Sequence, residues 1–582
     1  MVHYFLKQSP FKPSCFDIEL LIQTKHNEEF IELQMPSWRP GRYEIGNFAR
    51  LVTHFSVKTS VGKSCPFFKI SKDRWKIQTN GITELYVSFC YQTEILNAGS
   101  TYRGEHLWLI NPVNCLPYVE NYQNQSILIH LDVPDQWQVV SALHLAKTDR
   151  KYVYQAVHYD QLADSPILLA PEIHHAEYQI EKIKFHLWFH GISLLDWQTA
   201  LKNGLVEQFK KFTEVQLQTM QSFAKGDFHF IMLIKPEFFY HGVEHLHSTV
   251  CVLGPAAEFN SIRLQEDLLG VSSHELFHVW NVKRIRPAEM QPYNYVTENY
   301  ARLGYVYEGI TTYYGDLFLL RSGVFSWAQF KQTFDEQLQK HYINYARLLH
   351  PVADASIDTW LDGYVVGIPN RKTSIYTEGC LNAWMIDVAV RKNSNHQYSL
   401  DDLMRALDQR FGETAIGYHK ENLIELLKTL NFKEVETHFD RFIDGCEDYT
   451  KNLVSSAQVL GLSLLPKLYY TSLEHRLGCL FYHQNGKLLI KNVAPNSPAE
   501  NASLQSNDNI ISINNLTATD AYKNFNELSK PIELIIERGT KIWTTSIIMT
   551  KELFYLSYEI VKNAQSSDDQ RDAFYLWAKQ KF

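Results

Sequence analysis

The stretch SSHELFHVWNVKRIRP, residues 272–287, decides how the rest of the chain is read. His274 and His278 stand four apart, Glu275 follows the first, and a basic tail of Lys283, Arg284 and Arg286 comes behind. On an α-helix, positions i and i+4 share a face one turn apart, so both imidazoles reach a single tetrahedral Zn²⁺. Glu275 then faces the remaining coordination position, where a general base is needed for the attacking water. The pentapeptide alone leaves a second reading open. LLGVSSHELFHVW is also a credible buried helix whose two histidines bond backbone carbonyls.

A catalytic zinc takes three protein ligands and keeps one position exchangeable. The extended pattern HExxHxxGxxH fails, because Asn281 occupies the glycine place and Arg284 the histidine place. Downstream, RLGYVYEGITTYYGDLFLLRSG (302–323) reads as a helix with Glu308 set among apolar residues. A carboxylate there is costly unless paired or coordinated. Glu308 lies 30 residues after His278, room for a loop and an antiparallel helix. That is the layout of a His₂Glu zinc site.

The whole chain sets the frame. Its 582 residues suggest about three or four domains, and 45% hydrophobic with 21% charged residues is a soluble globular composition. A net charge of -8 with dispersed lysines and arginines argues against nucleic acid as a partner. The start, MVHYFLKQSPFKPS, lacks a signal-peptide run, and no 18-residue apolar segment occurs, which argues against a membrane. Eight single cysteines without a CxxC fit reduced thiols and a cytoplasmic protein.

The expected fold class is multidomain α+β. Residues 1–167 read as an all-β, sandwich-like domain, with runs such as FDIELLIQT and ELYVSFCYQT between turn residues. Residues 168–448 turn mostly helical after the strand-like KFHLWFH and FHFIMLI, and hold every chemical signal. Residues 449–555 return to short strands, and 556–582 form a helical tail.

HELFHVWNVKRIRP, YEGITTYYGDL and GVEH (242–245) resemble signature segments of the glycyl aminopeptidase family, zinc peptidases of the gluzincin clan. MPSWRPGRYEIGNFAR (35–50) and DSP (164–166) resemble segments of that family's N-terminal β domain. The resemblance implies a thermolysin-like catalytic domain with one Zn²⁺ on His274, His278 and Glu308, and Glu275 as general base. It implies that Glu244, in a G-x-x-E-type loop, binds the α-amine of peptides with a free N-terminus, glycine or another small residue being preferred. It also implies that Tyr376, in YTEGCLNAWMIDVAVR (376–391), donates to the tetrahedral oxyanion. The chain departs from the family at His241, which replaces a glycine, at Glu378, which replaces a lysine, and at Thr312, which replaces an aspartate. Asp316 is the nearest substitute for that aspartate as an orienting group.

GKLLIKNVAPNSPAENASLQSNDNIISINNLTA (486–518) resembles a PDZ domain, with Ser503, Asn507 and Asn515 where glycines are usual. RLGCLF (476–481) matches a carboxylate-binding loop, which makes Leu477, Gly478, Cys479 and Leu480 candidates to receive a peptide C-terminus. Two other functions stay open at this point. One is a zinc endopeptidase, and the other is a PDZ peptide-binding scaffold with a vestigial zinc site.

Overall fold

The computed structural model describes residues 2–582 except 11, 366 and 525–530. The chain forms two compact units. The first comprises Met1–Ala301, Tyr314–Val324 and Met404–His419, and the second Arg302–Tyr313, Phe325–Leu403 and Lys420–Phe582.

The first unit opens with two facing sheets. In the seven-stranded sheet, Val2–Gln8 pairs antiparallel with Cys15–Gln23 and parallel with Ile127–Leu131. Alternate residues point inward, so Tyr4, Ile18, Leu20 and Val87 meet Leu33, Trp75 and Ile77 of the four-stranded sheet in one core. The β domain extends past the expected boundary at 167. Ile167–Ala170 is a wholly buried strand that pairs with Trp108–Ile110.

Next comes a five-stranded mixed sheet in the order His174–Ile180, Ile183–His190, Phe228–Ile234, Ser248–Gly254, Phe239–Glu244. Ser248–Gly254 is buried at every residue, as a strand covered on both faces must be. The helix Ile262–Phe277 packs on the last two strands. It is capped by Ser261, whose side chain accepts from the Leu264 N–H.

In the second unit, helices Val352–Asp362 and Ile375–Asn393 pack on a π-helical turn, Tyr305–Ile310, and Trp327–Ile343 packs in turn on Ile375–Asn393. That turn crosses Ile375–Asn393 at Gly309 and Gly379, where a Cβ on either residue would collide with the other's backbone. A five-strand path runs Cys479–Gln484, Lys487–Val493, Asn509–Ile513, Ile532–Arg538, Lys541–Ile547. Ser503, Asn507 and Asn515 all have positive φ (57°, 69° and 65°), a conformation that glycine adopts most freely. Residues 556–582 are more than a helical tail. Ser557–Lys562 pairs with Leu462–Lys467, and only then does helix Asp568–Ala578 follow, with Trp577 Nε1 donating to Tyr313 Oη at 2.7 Å. Among the described residues, no helix is long and apolar enough to cross a membrane.

Candidate metal centre

The helix Ile262–Phe277 carries His274 in its last turn and ends at His278. Their Nε2 atoms stand 3.0 Å apart. His278 Nδ1 lies 2.7 Å from the Asn281 carbonyl oxygen, which can only accept, so Nδ1 holds the proton and Nε2 is bare. Two imidazoles on a tetrahedral Zn²⁺ at about 2.0–2.1 Å have nitrogens roughly 3.3 Å apart, so this pair fits such an ion. The Asn281 carbonyl is aimed by Val282, a buried β-branched residue at φ 151°. That region suits glycine, so the surrounding fold must hold the turn in place. On the other side, Gly315 lets its chain close on the helix. A Cβ there would stand 3.2 Å from His274 Cα, and Ser273 Oγ donates to the Gly315 carbonyl at 2.7 Å.

Glu275 (5% exposed) points to the strand Phe239–Glu244, where a side chain on Gly242 would meet its carboxylate. Glu244 is the last residue of that edge strand, not part of a loop as expected. Its carboxylate, that of Glu275 and a ring nitrogen of His278 lie within 4.8 Å of one another. Glu244 is 4% exposed, and its Oε1 has no hydrogen-bond partner among the described residues. Two carboxylates in so small a space make the pocket attractive to cations. Gly41, at φ 82°, forms its far wall. His241, on the same strand, is pushed down to about 3 by burial and by the charges of Arg39 and Arg42, and so stays neutral.

A buried network holds this pocket. Asp164 Oδ1 accepts from Lys283 Nζ at 2.7 Å and from His245 Nδ1 at 3.1 Å, while Oδ2 accepts from the Leu246 N–H at 2.8 Å. Burial alone would raise the Asp164 pKa, but the Lys283 ammonium and His245 hold it below the usual carboxylate range. The segments DSP, GVEH and HVWNVKRIRP therefore meet at one carboxylate. Arg284, at the third-histidine place of the failed pattern, instead grips Asp408 through Nε at 2.9 Å and Nη2 at 2.9 Å.

In the second unit, Glu308 sits buried (3% exposed) on the π-helical turn. The Thr312 hydroxyl donates to the Glu308 backbone carbonyl at 2.9 Å and so serves its own helix. Tyr376 is half-buried in the first turn of Ile375–Asn393, which Ser374 caps. Glu378 points into a buried cluster, accepting from His341 Nδ1 at 2.9 Å and from the Tyr449 hydroxyl. Leu477, Gly478, Cys479 and Leu480 differ from the accessible loop expected. All four are buried, the Gly478 N–H donates to the Glu474 carbonyl at 2.9 Å, and the Phe481 N–H donates to Glu474 Oε1 at 3.0 Å. An internal carboxylate already uses the amide next to that loop.

Sequence reasoning missed Gly41, the Asn281 carbonyl, and the joint role of Asp164 and Lys283. Pro40-Gly41 was legible as a turn, and Lys283 as a cation beside an apolar run. Nothing local paired either with its partner.

Residues 3–171 match the model of the Peptidase M61 N-terminal domain, and residues 267–382 match that of the M61 glycyl aminopeptidase. Both segments match one peptidase family. The second match contains His274, Glu275, His278, Glu308 and Tyr376, while Glu244 lies outside both. No curated protein matches the chain in sequence. In fold, the chain is similar to an aminopeptidase N family protein from Idiomarina loihiensis, with TM-score 0.87 and 22% identity over 99% of this chain and 100% of that one. An M1 zinc metallopeptidase from Deinococcus radiodurans aligns with TM-score 0.46 and 13% identity over 77% of this chain and 93% of that one. A mutant M1 enzyme from the same organism, bound to a Tyr-Ser-Ala substrate, aligns with TM-score 0.44 and 13% identity over 77% of this chain and 94% of that one.

Proposed function

We propose that the protein is a zinc aminopeptidase, with one Zn²⁺ per chain, that removes glycine or another small residue from peptides with a free N-terminus. The observation that carries this reading is the convergence at His278, where two Nε2 atoms 3.0 Å apart lie beside the carboxylates of Glu275 and Glu244. His274 and His278 hold the ion, and Glu308 is the third ligand. Support for Glu308 comes from its burial on an apolar helical segment, where a carboxylate is costly unless paired or coordinated.

Bound there, zinc supplies Lewis-acid polarisation of the scissile carbonyl and makes water a better nucleophile. Glu275 accepts a proton from the attacking water and passes it to the leaving amine. Glu244 receives the substrate's α-ammonium, and its Oε1 supports that role as a buried acceptor with no donor among the described residues. Fixing the ammonium beside the histidines limits cleavage to the first peptide bond, which disfavours an endopeptidase. Tyr376 donates its hydroxyl to the oxyanion, worth about 3 kcal/mol for one donor. The C-terminal sheet is read as a PDZ-type module in which Glu474 takes the Phe481 amide, which disfavours a scaffold built to capture peptide C-termini. A cytoplasmic location rests on the scattered cysteines.

The test pairs zinc content with hydrolysis of Gly-, Ala- and Leu-p-nitroanilide and an N-acetylated control, for wild type and Glu275→Gln. Stoichiometric zinc with turnover of free amines alone, fastest for glycine or alanine and lost in the variant, is the expected result. Equal turnover of the acetylated control would overturn the exopeptidase, and absence of zinc would overturn the enzyme.

A further inference from the structure

The strands His174–Ile180 and Ile183–His190 form the edge of the five-stranded sheet opposite Phe239–Glu244. Their register sets Glu177 across from His186 and His175 across from Trp188. Side chains alternate along a strand, so His175, Glu177 and His186 share one face. His175 Nε2 lies 3.2 Å from His186 Nδ1, and that Nδ1 lies 3.4 Å from Glu177 Oε2. The three ligand atoms all fall within 4.8 Å of one another. An ion about 2.0–2.2 Å from each of three ligands separates them by roughly 3.2–3.6 Å, which matches both short distances.

The surroundings hold this geometry. Trp188 stacks on His175 with ring centroids 3.8 Å apart, and His229 stacks on His186 at 4.7 Å, so neither imidazole turns freely. His186 Nε2 faces Asp227 Oδ2 at 3.6 Å, the arrangement in which a carboxylate orients a metal-bound imidazole.

We propose that His175, Glu177 and His186 form a second metal site that takes a divalent late transition ion, Zn²⁺ being the physiological choice. Two imidazoles and one carboxylate suit such ions rather than Mg²⁺ or Ca²⁺, which favour oxygen donors. Exposure of His175 and Glu177 leaves the remaining positions to water. Occupation ties the two edge strands together across their hydrogen-bond ladder. The site stands apart from the peptidase assignment in residues and in chemistry.

The test titrates the tag-free, chelator-stripped full chain with Zn²⁺ by calorimetry and repeats the titration with Co²⁺ by absorbance. His175→Ala with His186→Ala in one chain is expected to bind one equivalent fewer than its parent. Its circular dichroism and its p-nitroanilide turnover at one equivalent of zinc should be unchanged. His274→Ala, which removes a ligand of the other centre, is expected to keep the edge-strand equivalent, so the two assignments fail separately. Equal stoichiometry for the parent and the double variant would overturn the site and leave a hydrogen-bonded histidine cluster.

Discussion

Gly41 lies against the carboxylate of Glu244. A Cβ built on Gly41 would fall 2.5 Å from Glu244 Oε2, and at φ 82° the residue is also in a region that side chains avoid. The turn in the β domain is thus a wall of the pocket proposed to receive the substrate's ammonium. Gly41→Ala is expected to displace that carboxylate and to lower kcat/KM about tenfold or more on Gly-p-nitroanilide, chiefly through KM. Its zinc content should equal that of wild type. Steady-state kinetics beside metal analysis checks both.

Glu244→Gln keeps the shape and removes the charge. A charge-assisted hydrogen bond contributes about 1.5–3 kcal/mol. The variant should therefore lose roughly 10- to 150-fold in kcat/KM on free-amine substrates while retaining zinc. A variant as active as wild type would remove Glu244 from the site.

Lys283→Met strips Asp164 of its cation. Leaving a buried charge uncompensated costs about 3–5 kcal/mol, somewhat less here because Asp164 keeps His245 and the Leu246 amide. A carboxylate held below its ordinary value of 3.8 contributes stability above that pH and loses it as pH falls through the folded value. The gap between wild type and variant should be the same at pH 7 and pH 5 and shrink only below pH 3.8, as the wild-type carboxylate takes up its proton. Urea midpoints at pH 7, pH 5 and pH 3 measure it.

Chelation should abolish hydrolysis, and Zn²⁺ should restore it. An imidazole must be unprotonated to bind metal, so retention should fall as the buffer is taken from pH 7 to pH 5. His278→Ala should prevent restoration at any zinc concentration that rescues wild type, as dialysis with metal analysis will show.

His341→Leu leaves Glu378 buried with the Tyr449 hydroxyl and without its imidazole. A loss of about 2–3 kcal/mol is expected from the stranded carboxylate. Because Glu378 is one turn into the helix that starts beside Tyr376, kcat should fall with zinc content unchanged. Thermal unfolding and single-turnover rates read the two effects.

Much of the architecture is local physics and was legible. Strands such as Cys15–Gln23 alternate buried and half-buried residues, and helices such as Trp327–Ile343 open on a capping box at Ser326 and Gln329. The histidine pair was legible for the same reason, since i and i+4 meet on any helix. The strand Ser557–Lys562 was not legible, because its partner Leu462–Lys467 lies beyond an intervening sheet. The committed amides around Gly478 were hidden too, because Glu474 reads simply as a charged helix residue until the helix turns it onto the strand.

The sequence by itself determined the element types, the spacing of His274, Glu275 and His278, and the turn glycines, because each depends on residues within a few positions of one another. Tertiary structure alone decided that Gly41 walls Glu244, that Asp164 meets Lys283, and that the edge strands set His175, Glu177 and His186 on one face. Those contacts join residues far apart in the chain or depend on strand register. No local periodicity encodes them, and they exist only once the sheets and helices have closed around a common core.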